Sequence, residues 1–364
     1  MKLSWIIAGG GTGGHVTPAL ALGEVIAQRG DRALFMGSER GLESHLVPEA
    51  GFELLALPSQ QVMGRRLLGR ITGLLSTLAQ VIPARAALRA HRADIVISVG
   101  GFAAIPATLA ALITGCPLAL VEPNAIPGRA NRLTARFARK IFVGFASTAT
   151  HLAKGGQVHQ FGIPLRGQLL RAFEEKAART GPSSPVHLLI FGGSQGARQI
   201  NEAMMALAPR LAGQPVEIFH QAGSADRERV QRAYADAGID AQVVDFEPAM
   251  PERYGWADLA LCRAGALTVA ELALAGLPAV LIPYPFAADD HQAANAAALA
   301  DAGAGIRLGS RPLDPEALEA ELLGLIREPH RLVAMSQAAS ALAQPDAARR
   351  IIETCAALLE EKTA

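Results

Sequence analysis

Short apolar runs separated by helical stretches set the rhythm of this chain. Trp5–Ala8 is apolar throughout and ends in Gly9-Gly10-Gly11-Thr12-Gly13-Gly14. The pattern after it predicts a helix from Pro18 to Gln28, with Pro18 in its first turn. Asp31–Met36, Ile95–Val99, Leu118–Val121 and Lys140–Val143 read as further strands. Such runs, alternating with helices, predict an α/β fold whose mostly parallel sheet is covered on both faces. After a polar, proline-containing gap at Gly181–Pro185 the pattern restarts. Val186–Phe191 ends in Gly192-Gly193-Ser194-Gln195-Gly196, and strands follow at Val216–His220, Gln242–Asp245, Leu259–Leu261 and Ala279–Ile282. One helical stretch is expected from Leu332 to Glu361. The expectation is two doubly wound, Rossmann-like domains, 1–163 and 164–340, with a boundary near Phe161–Pro164. Ligands of open parallel sheets bind at the carboxyl ends of the strands, so a ligand is expected in a cleft between the halves.

Composition narrows the class. The chain has 364 residues, half of them apolar and 18% charged, which suits about two folded domains and excludes a disordered chain. Three cysteines without paired spacing give no disulfide framework and no thiolate zinc knot, as expected in a reducing compartment. Ile95–Val121 carries no charge over 27 positions, long enough to span a bilayer. Gly100, Gly101, Pro106, Gly115 and Pro117 divide it, so it reads as buried core. The apolar start of the chain stops at glycines and is too short for a secretory leader.

Charge is unevenly spread. Residues 1–163 hold sixteen basic and eight acidic side chains, a net of +8, whereas 164–364 carry a net of −7. No acid occurs from Leu54 to Ala93. That segment contains Arg65, Arg66, Arg70, Arg85, Arg89 and Arg92, with Leu67, Leu68, Leu74 and Leu75 among its apolar positions. A basic rim beside an apolar face suits an anionic membrane surface. A core-facing helix with solvated arginines is the alternative. Nucleic acid fits poorly, because few aromatic residues interleave the basic ones.

Four strings carry candidate chemistry. Gly9–Gly14 leads into His15 at a loop-to-helix junction, where glycines allow close approach and the helix offers unpaired N–H groups. Histidine is a common base near neutral pH, although a capping histidine is an equal alternative there. Gly192–Ala197 directly follows a strand, and its backbone with the Ser194 hydroxyl suits phosphate oxygens. In Ala266-Leu267-Thr268-Val269-Ala270-Glu271 a helix start suits a pyrophosphate, and Glu271 suits ribose hydroxyls. Gln292 and Asn295 share a helical face, and their amides suit sugar hydroxyls. Each also has a purely structural reading as a turn or a solvated helix face. Neither a His-Glu-x-x-His motif nor an Asp-x-Asp triplet occurs, so no metal site is expected.

Taken together, Gly9–His15, Gly192–Ala197, Ala266–Glu271 and Asp290-His291-Gln292-Ala293-Ala294-Asn295 resemble the bacterial peptidoglycan N-acetylglucosaminyltransferases of glycosyltransferase family 28. The resemblance covers nearly the whole chain. It implies the GT-B fold, with a final helix (341–364) crossing back to the N-terminal domain. It also implies metal-independent, inverting transfer of N-acetylglucosamine from UDP-N-acetylglucosamine to a lipid-linked N-acetylmuramoyl-pentapeptide, with no cofactor. The implied location is the cytoplasmic face of the inner membrane, as a peripheral protein, with cell-wall synthesis and division proteins as partners. By the same resemblance, 1–163 meets acceptor and membrane, and 164–340 holds the donor. His15 is then the base that takes the acceptor hydroxyl proton. Thr12, Gly13, Gly14 and Asn124 approach the sugar and diphosphate. Arg166 and Ser194 meet the nucleotide, Glu247 meets the uracil through its backbone, and Gln292 meets the donor sugar. Where the family has His and Gln around the acid before Asn124, this chain has Val121 and Pro123. Glu247 replaces an aliphatic residue, and Ala293 a second Gln. The competing expectations are a GT-B transferase with a soluble acceptor, a UDP-N-acetylglucosamine 2-epimerase, and a non-catalytic nucleotide-binding module.

Overall fold

Buried apolar runs form two parallel sheets in the computed structural model, which describes residues 2–58, 76–152, 156–174, 181–193, 196–309 and 311–360. The membrane candidates Arg65, Arg66, Leu67, Leu68, Arg70, Leu74 and Leu75 lie outside the described residues, as does Ser194. The chain divides into two units: Met1–Gly167 with Gln344–Ala364, and Gln168–Ala343.

The first unit holds β1 (Ser4–Gly9), β2 (Arg32–Ser38), β3 (Glu53–Leu57), β4 (Ile95–Gly100), β5 (Leu118–Glu122), β6 (Lys140–Val143) and β7 (Gln157–Gln160). Their order is β3-β2-β1-β4-β5-β6-β7, so the winding reverses between β1 and β4. Alternation along β1 feeds both faces. Trp5 and Ile7 pack with Val16 and Leu20 of the Gly13–Gln28 helix and with Ile351 and Ile352 of the Ala347–Glu360 helix. Ile6 and Ala8 pack with Ala84, Leu88, Ala107 and Ala111 on the other face. Each fully buried valine, leucine or isoleucine among them contributes about 1.5–3 kcal/mol. At the end of β1 the register with β4 slips: Ala8 pairs with Ser98, but Gly9 pairs with Gly100. This irregularity re-aims both strand ends into the glycine-rich loop.

The second unit holds β8 (Val186–Phe191), β9 (Val216–Gln221), β10 (Ala241–Val244), β11 (Leu259–Cys262), β12 (Ala279–Leu281) and β13 (Gly305–Arg307). Their order is β10-β9-β8-β11-β12-β13, and here the winding reverses between β8 and β11.

Three differences from the sequence expectation have physical causes. Strands β3, β7 and β13, which the hydrophobic pattern missed, are all sheet edges; β7 and β13 lack a continuous apolar run, which an edge strand does not need, whereas β3 carries a short one at Leu54–Leu57. The first helix starts at Gly13, not Pro18, so Pro18 lies inside it. Glycine has poor helix propensity, but Val16 is buried in the core and the Thr12 carbonyl accepts from the His15 and Val16 N–H groups. The stretch expected from Leu332 to Glu361 is two helices, His330–Ala341 and Ala347–Glu360. Pro345 stands in the break and cannot continue a helical ladder.

Candidate functional site

The glycine-rich loop after β1 is built around a buried acid that the sequence reading did not single out. Glu43, at the start of the Glu43–Glu49 helix, is 1% exposed. It accepts from the Gly11 N–H at 2.8 Å and the Ser38 N–H at 2.7 Å. A Cβ on Gly10, Gly37 or Gly41 would lie 2.1–2.5 Å from the Glu43 side chain, so these glycines leave room for it. Gly11 and Gly13 instead have open space where a Cβ would stand, and Gly14 has only the Thr12 hydroxyl 3.9 Å away. One side of the loop is therefore given to an internal carboxylate and the other is open to a ligand.

Thr12 does not cap the following helix with its side chain. Its hydroxyl instead pairs with His15 Nδ1 at 3.1 Å and orients the ring. Gly101, at φ +81°, follows β4 and stands against this junction. A Cβ there would fall 2.7 Å from the Gly10 carbonyl and 3.6 Å from His15 Nδ1. Gly100 in turn meets the amide of Asn131.

Asn131 leads to Asn124. Buried Glu122, at the end of β5, accepts from the Asn124 N–H (2.9 Å) and Nδ2 (3.3 Å), the Gly128 N–H (2.9 Å) and Asn131 Nδ2 (2.9 Å). Desolvation pushes the Glu122 carboxyl above its ordinary range against these hydrogen bonds. Asn124 is thus held by Glu122 and by the Thr148 hydroxyl on its carbonyl (3.0 Å), without the two side chains replaced by Val121 and Pro123. The ends of β1, β4 and β5 thereby bring Thr12, Gly13, Gly14, His15 and Asn124 to one edge of the first sheet. Arg166 is tied elsewhere in the same unit: Glu24 accepts from its Nε and, at 2.8 Å, from the Gly167 N–H. One edge of that guanidinium is therefore already paired.

In the second unit the loop after β8 is shaped by close backbone approach. A Cβ on Gly196, at φ +72°, would fall 2.1 Å from the Ala222 carbonyl, and one on Gly192 the same distance from the Ala197 Cβ. Gly193 has open space beside it. Across the reversal point, the Ala266–Ala275 helix starts at Gly265 with no side-chain cap. Its first N–H groups, on Ala266, Leu267 and Thr268, precede the intrahelical ladder and suit an anion. Ala266 and Val269 turn their side chains into the core, while Leu267, Thr268 and Ala270 are half-buried. A cavity of about 420 Å³ lies beside the loop, lined by Gly192, Ala197, Arg263, Tyr284, Phe286 and Gln292 among others. Arg263 braces it by donating to Gln199 (3.0 Å) and to the Ile282 and Pro283 carbonyls (3.1 and 3.0 Å).

Glu271 accepts from the buried Tyr254 hydroxyl at 2.7 Å. Part of its surface is accessible, but the carboxyl lies deep, and desolvation raises it to about 7 against the Tyr254 hydrogen bond. Near neutral pH it can both donate and accept, which suits a vicinal diol.

One expected contact differs. Asn295 is fully buried and donates to the Ala264 carbonyl at 3.1 Å, so it braces the loop before the helix instead of meeting a sugar. The Glu247 carboxylate is turned inward to the Ala249 N–H and Arg253 Nε, both at 2.8 Å. Burial raises this carboxyl, but the hydrogen bonds and the Arg253 charge outweigh it and hold it below its ordinary range. Gln292 presents its carbonyl to the Tyr284 N–H at 2.8 Å and so holds the cavity wall. Phe246, 57% exposed beside Glu247, is an aromatic surface that no motif flagged. Among the described residues, no three His, Cys, Asp or Glu side chains form a metal cluster. Nor is any described helix long and apolar enough to cross a membrane.

Comparison with known proteins also divides the chain in two. The glycosyltransferase family 28 N-terminal domain matches residues 5–143, and the family 28 C-terminal domain matches 187–351. A UDP-N-acetylglucosamine--N-acetylmuramyl-(pentapeptide) pyrophosphoryl-undecaprenol N-acetylglucosamine transferase from an Anaeromyxobacter species is 39% identical, over 98% of this chain and 94% of that protein. The protein of the same name from Acidithiobacillus ferrooxidans is 41% identical, over 98% of both chains. The crystal structure of Acinetobacter baumannii MurG superposes with a TM-score of 0.79 at 31% identity, over 97% of this chain and 98% of that one. A UDP-GlcNAc 2-epimerase from Neisseria meningitidis, at 14% identity and a TM-score of 0.66, shares the fold over 98% of this chain and 99% of its own.

Proposed function

The chain belongs to glycosyltransferase family 28, and from that premise we propose how its residues divide the reaction. It has the GT-B fold, with two parallel-sheet, Rossmann-like domains. It transfers N-acetylglucosamine from UDP-N-acetylglucosamine to undecaprenyl-pyrophosphoryl-N-acetylmuramoyl-pentapeptide, giving lipid II and UDP.

The residue roles rest on one observation above others: each sheet carries a glycine-rich loop at the point where its winding reverses. In the second unit the Gly192–Ala197 loop and the N–H groups of Ala266–Thr268 take the diphosphate, and Glu271 takes the ribose hydroxyls. The Glu247 loop meets the base through its backbone, with the face of Phe246 beside it, and Gln292 meets the sugar. In the first unit His15, oriented by Thr12, takes the proton of the attacking 4-hydroxyl. The hydroxyl oxygen bonds to the anomeric carbon while the bond to the UDP oxygen breaks on the opposite face, inverting the centre. Asn124, fixed by Glu122, stands at the same sheet edge to orient the reacting sugars. Placement and fixed dipoles at the departing diphosphate supply most of the rate.

Purified protein is expected to release UDP from UDP-N-acetylglucosamine only when the lipid-linked acceptor is present. Conversion of the donor without an acceptor would favour the epimerase instead. His15→Ala is expected to cost about 10²–10⁴-fold in turnover, with UDP affinity within about twofold of wild type. Undiminished turnover removes His15 as the base.

Because the acceptor carries a polyprenyl chain, transfer takes place at a membrane surface. Leu78 and Ile82 expose 46% and 75% of their surface, Arg85 and Arg89 project beside them, and Ile113 on the adjoining Ile105–Thr114 helix exposes 59%. This apolar group with a basic rim supports docking through the same acid-free segment, on the cytoplasmic face of the inner membrane. Neutralising Arg85 and Arg89 to glutamine is expected to weaken binding to phosphatidylglycerol vesicles by roughly fivefold per residue, as each basic contact is worth about 1 kcal/mol. Sedimentation unchanged from wild type rejects this surface.

A further inference from the structure

Gln221, at the carboxyl end of β9, is 3% exposed and has its amide fixed in two opposite senses. Nε2 donates to the Gly193 carbonyl at 2.8 Å, and Oε1 accepts from the Glu247 N–H at 3.0 Å. The chemistry of the two partners fixes which way the amide points. Gly193 belongs to the loop after β8, and Glu247 to the loop after β10. One side chain from the strand between them therefore ties both together.

A second tie runs in parallel. Glu247 accepts from Arg253, whose guanidinium lies 4.1 Å over the ring of Phe219, two residues before Gln221 on β9. Gly193 stands at φ +101° with open space beside it, so the carbonyl that Gln221 grips belongs to backbone a ligand can approach.

We propose that Gln221 is a positioning residue that locks the diphosphate-facing loop and the base-facing loop at one spacing, so that the two ends of the nucleotide bind as one rigid ligand. This rests on the donor-site reading above and adds a coupling between its two halves. Only a side chain that donates and accepts at that reach can make both bonds. Methionine makes neither, and glutamate keeps the acceptor but sets a carboxylate oxygen against the Gly193 carbonyl. When two part-sites are held in register, the joined ligand gains over its fragments because the second contact costs little further ordering.

The test compares UDP, uridine and inorganic pyrophosphate on the full chain by calorimetric competition, in wild type, Q221M and Q221E. Both variants are expected to bind UDP at least tenfold more weakly, while uridine and pyrophosphate, each meeting one loop, weaken by no more than about twofold. The donor KM should rise in step, with kcat at saturating donor changed less than threefold. UDP affinity within twofold of wild type in both variants overturns the proposal. So does an equal loss for all three ligands, which would signal collapse of the site and not loss of coupling. Should Q221M fail to fold, Q221E, of the same size, decides alone. A wild-type chain that binds none of the three defeats the donor-site reading, and this coupling with it.

Discussion

The Glu271 carboxyl is pulled in opposite directions by its surroundings. Desolvation favours the protonated form, whereas the Tyr254 hydroxyl at 2.7 Å favours the carboxylate, and the balance lies at about 7. An ordinary glutamate titrates near 4.5, so between about 4.5 and 7 the folded chain keeps a proton that the unfolded chain has released. Stability from this group is therefore fully present below that window and is lost as pH rises through it. Allowing for the partial accessibility of Glu271, the loss is about 1–2 kcal/mol. Glu271→Gln should flatten the decline of urea unfolding midpoints between pH 5 and pH 8, and slopes that match wild type would refute the assignment. Other residues at this scale were less visible in the chain. Glu271 stands in a recognisable string, but Tyr254 lies seventeen positions away, and Gln221 sits inside an ordinary strand end. Glu43 stays hidden because the Gly9–Gly14 run predicts room for a ligand, whereas Gly10, like Gly41 outside that run, leaves room for the Glu43 carboxylate. Long-range polar partners have no local period, so a pattern reading finds the loop and not what holds it.

Elements were legible in proportion to their burial. β1, β4, β5, β8 and β11 are almost wholly buried, and each stood out as a continuous apolar run. β7, with exposed Gln157 and Gln160 at its ends, gave no such run because it has a neighbour on one side only. The glycine-rich ends of β1 and β4 were visible as composition, but their mutual packing was not. That packing makes a sharp distinction between two left-handed glycines. Gly101 (φ +81°) backs onto the Gly10 carbonyl, whereas Gly115 (φ +72°) ends the Ile105–Thr114 helix with open space around it. Alanine costs about 1–2 kcal/mol of backbone strain at Gly115, which is in the αL conformation, and at least as much at Gly101, whose ψ of 164° places it in a region that glycine alone populates. Only Gly101→Ala also drives a methyl into the loop that carries His15. Gly101→Ala is therefore expected to lower transfer at least tenfold, while Gly115→Ala lowers the melting temperature by a few degrees and leaves transfer within twofold. Equal activity in the two variants would show that the β4 end does not set the His15 junction.

On the scale of the whole molecule, the first unit is not closed by the first 167 residues. Its core includes Ala348, Ile351, Ile352, Cys355 and Ala356, spaced to form one buried stripe on the Ala347–Glu360 helix. The chain leaves this unit after Gly167, builds all of the second sheet, and returns at Gln344. Two contacts secure the return: Gly162 leaves room for the Gln344 side chain, and the Arg350 guanidinium covers the Phe161 ring at 4.0 Å. The stability of the first unit thus depends on the far end of the sequence, whereas Gln168–Ala343 holds its own core within one continuous stretch. Ending the chain after Ala343 would uncover the face of the Gly13–Gln28 helix that packs on Ala347–Glu360. Hydrogen exchange on that truncated chain should show protection lost across 2–167 and kept across 186–326. The milder Ile352→Ala removes one buried side chain and should cost about 2–5 kcal/mol, lowering the first unit's unfolding transition alone. If both changes destabilise the two units equally, the chain unfolds as one cooperative block and the returning helix has no special claim on the first. If protection of 2–167 survives truncation, the stripe is a cover on a core that is already complete.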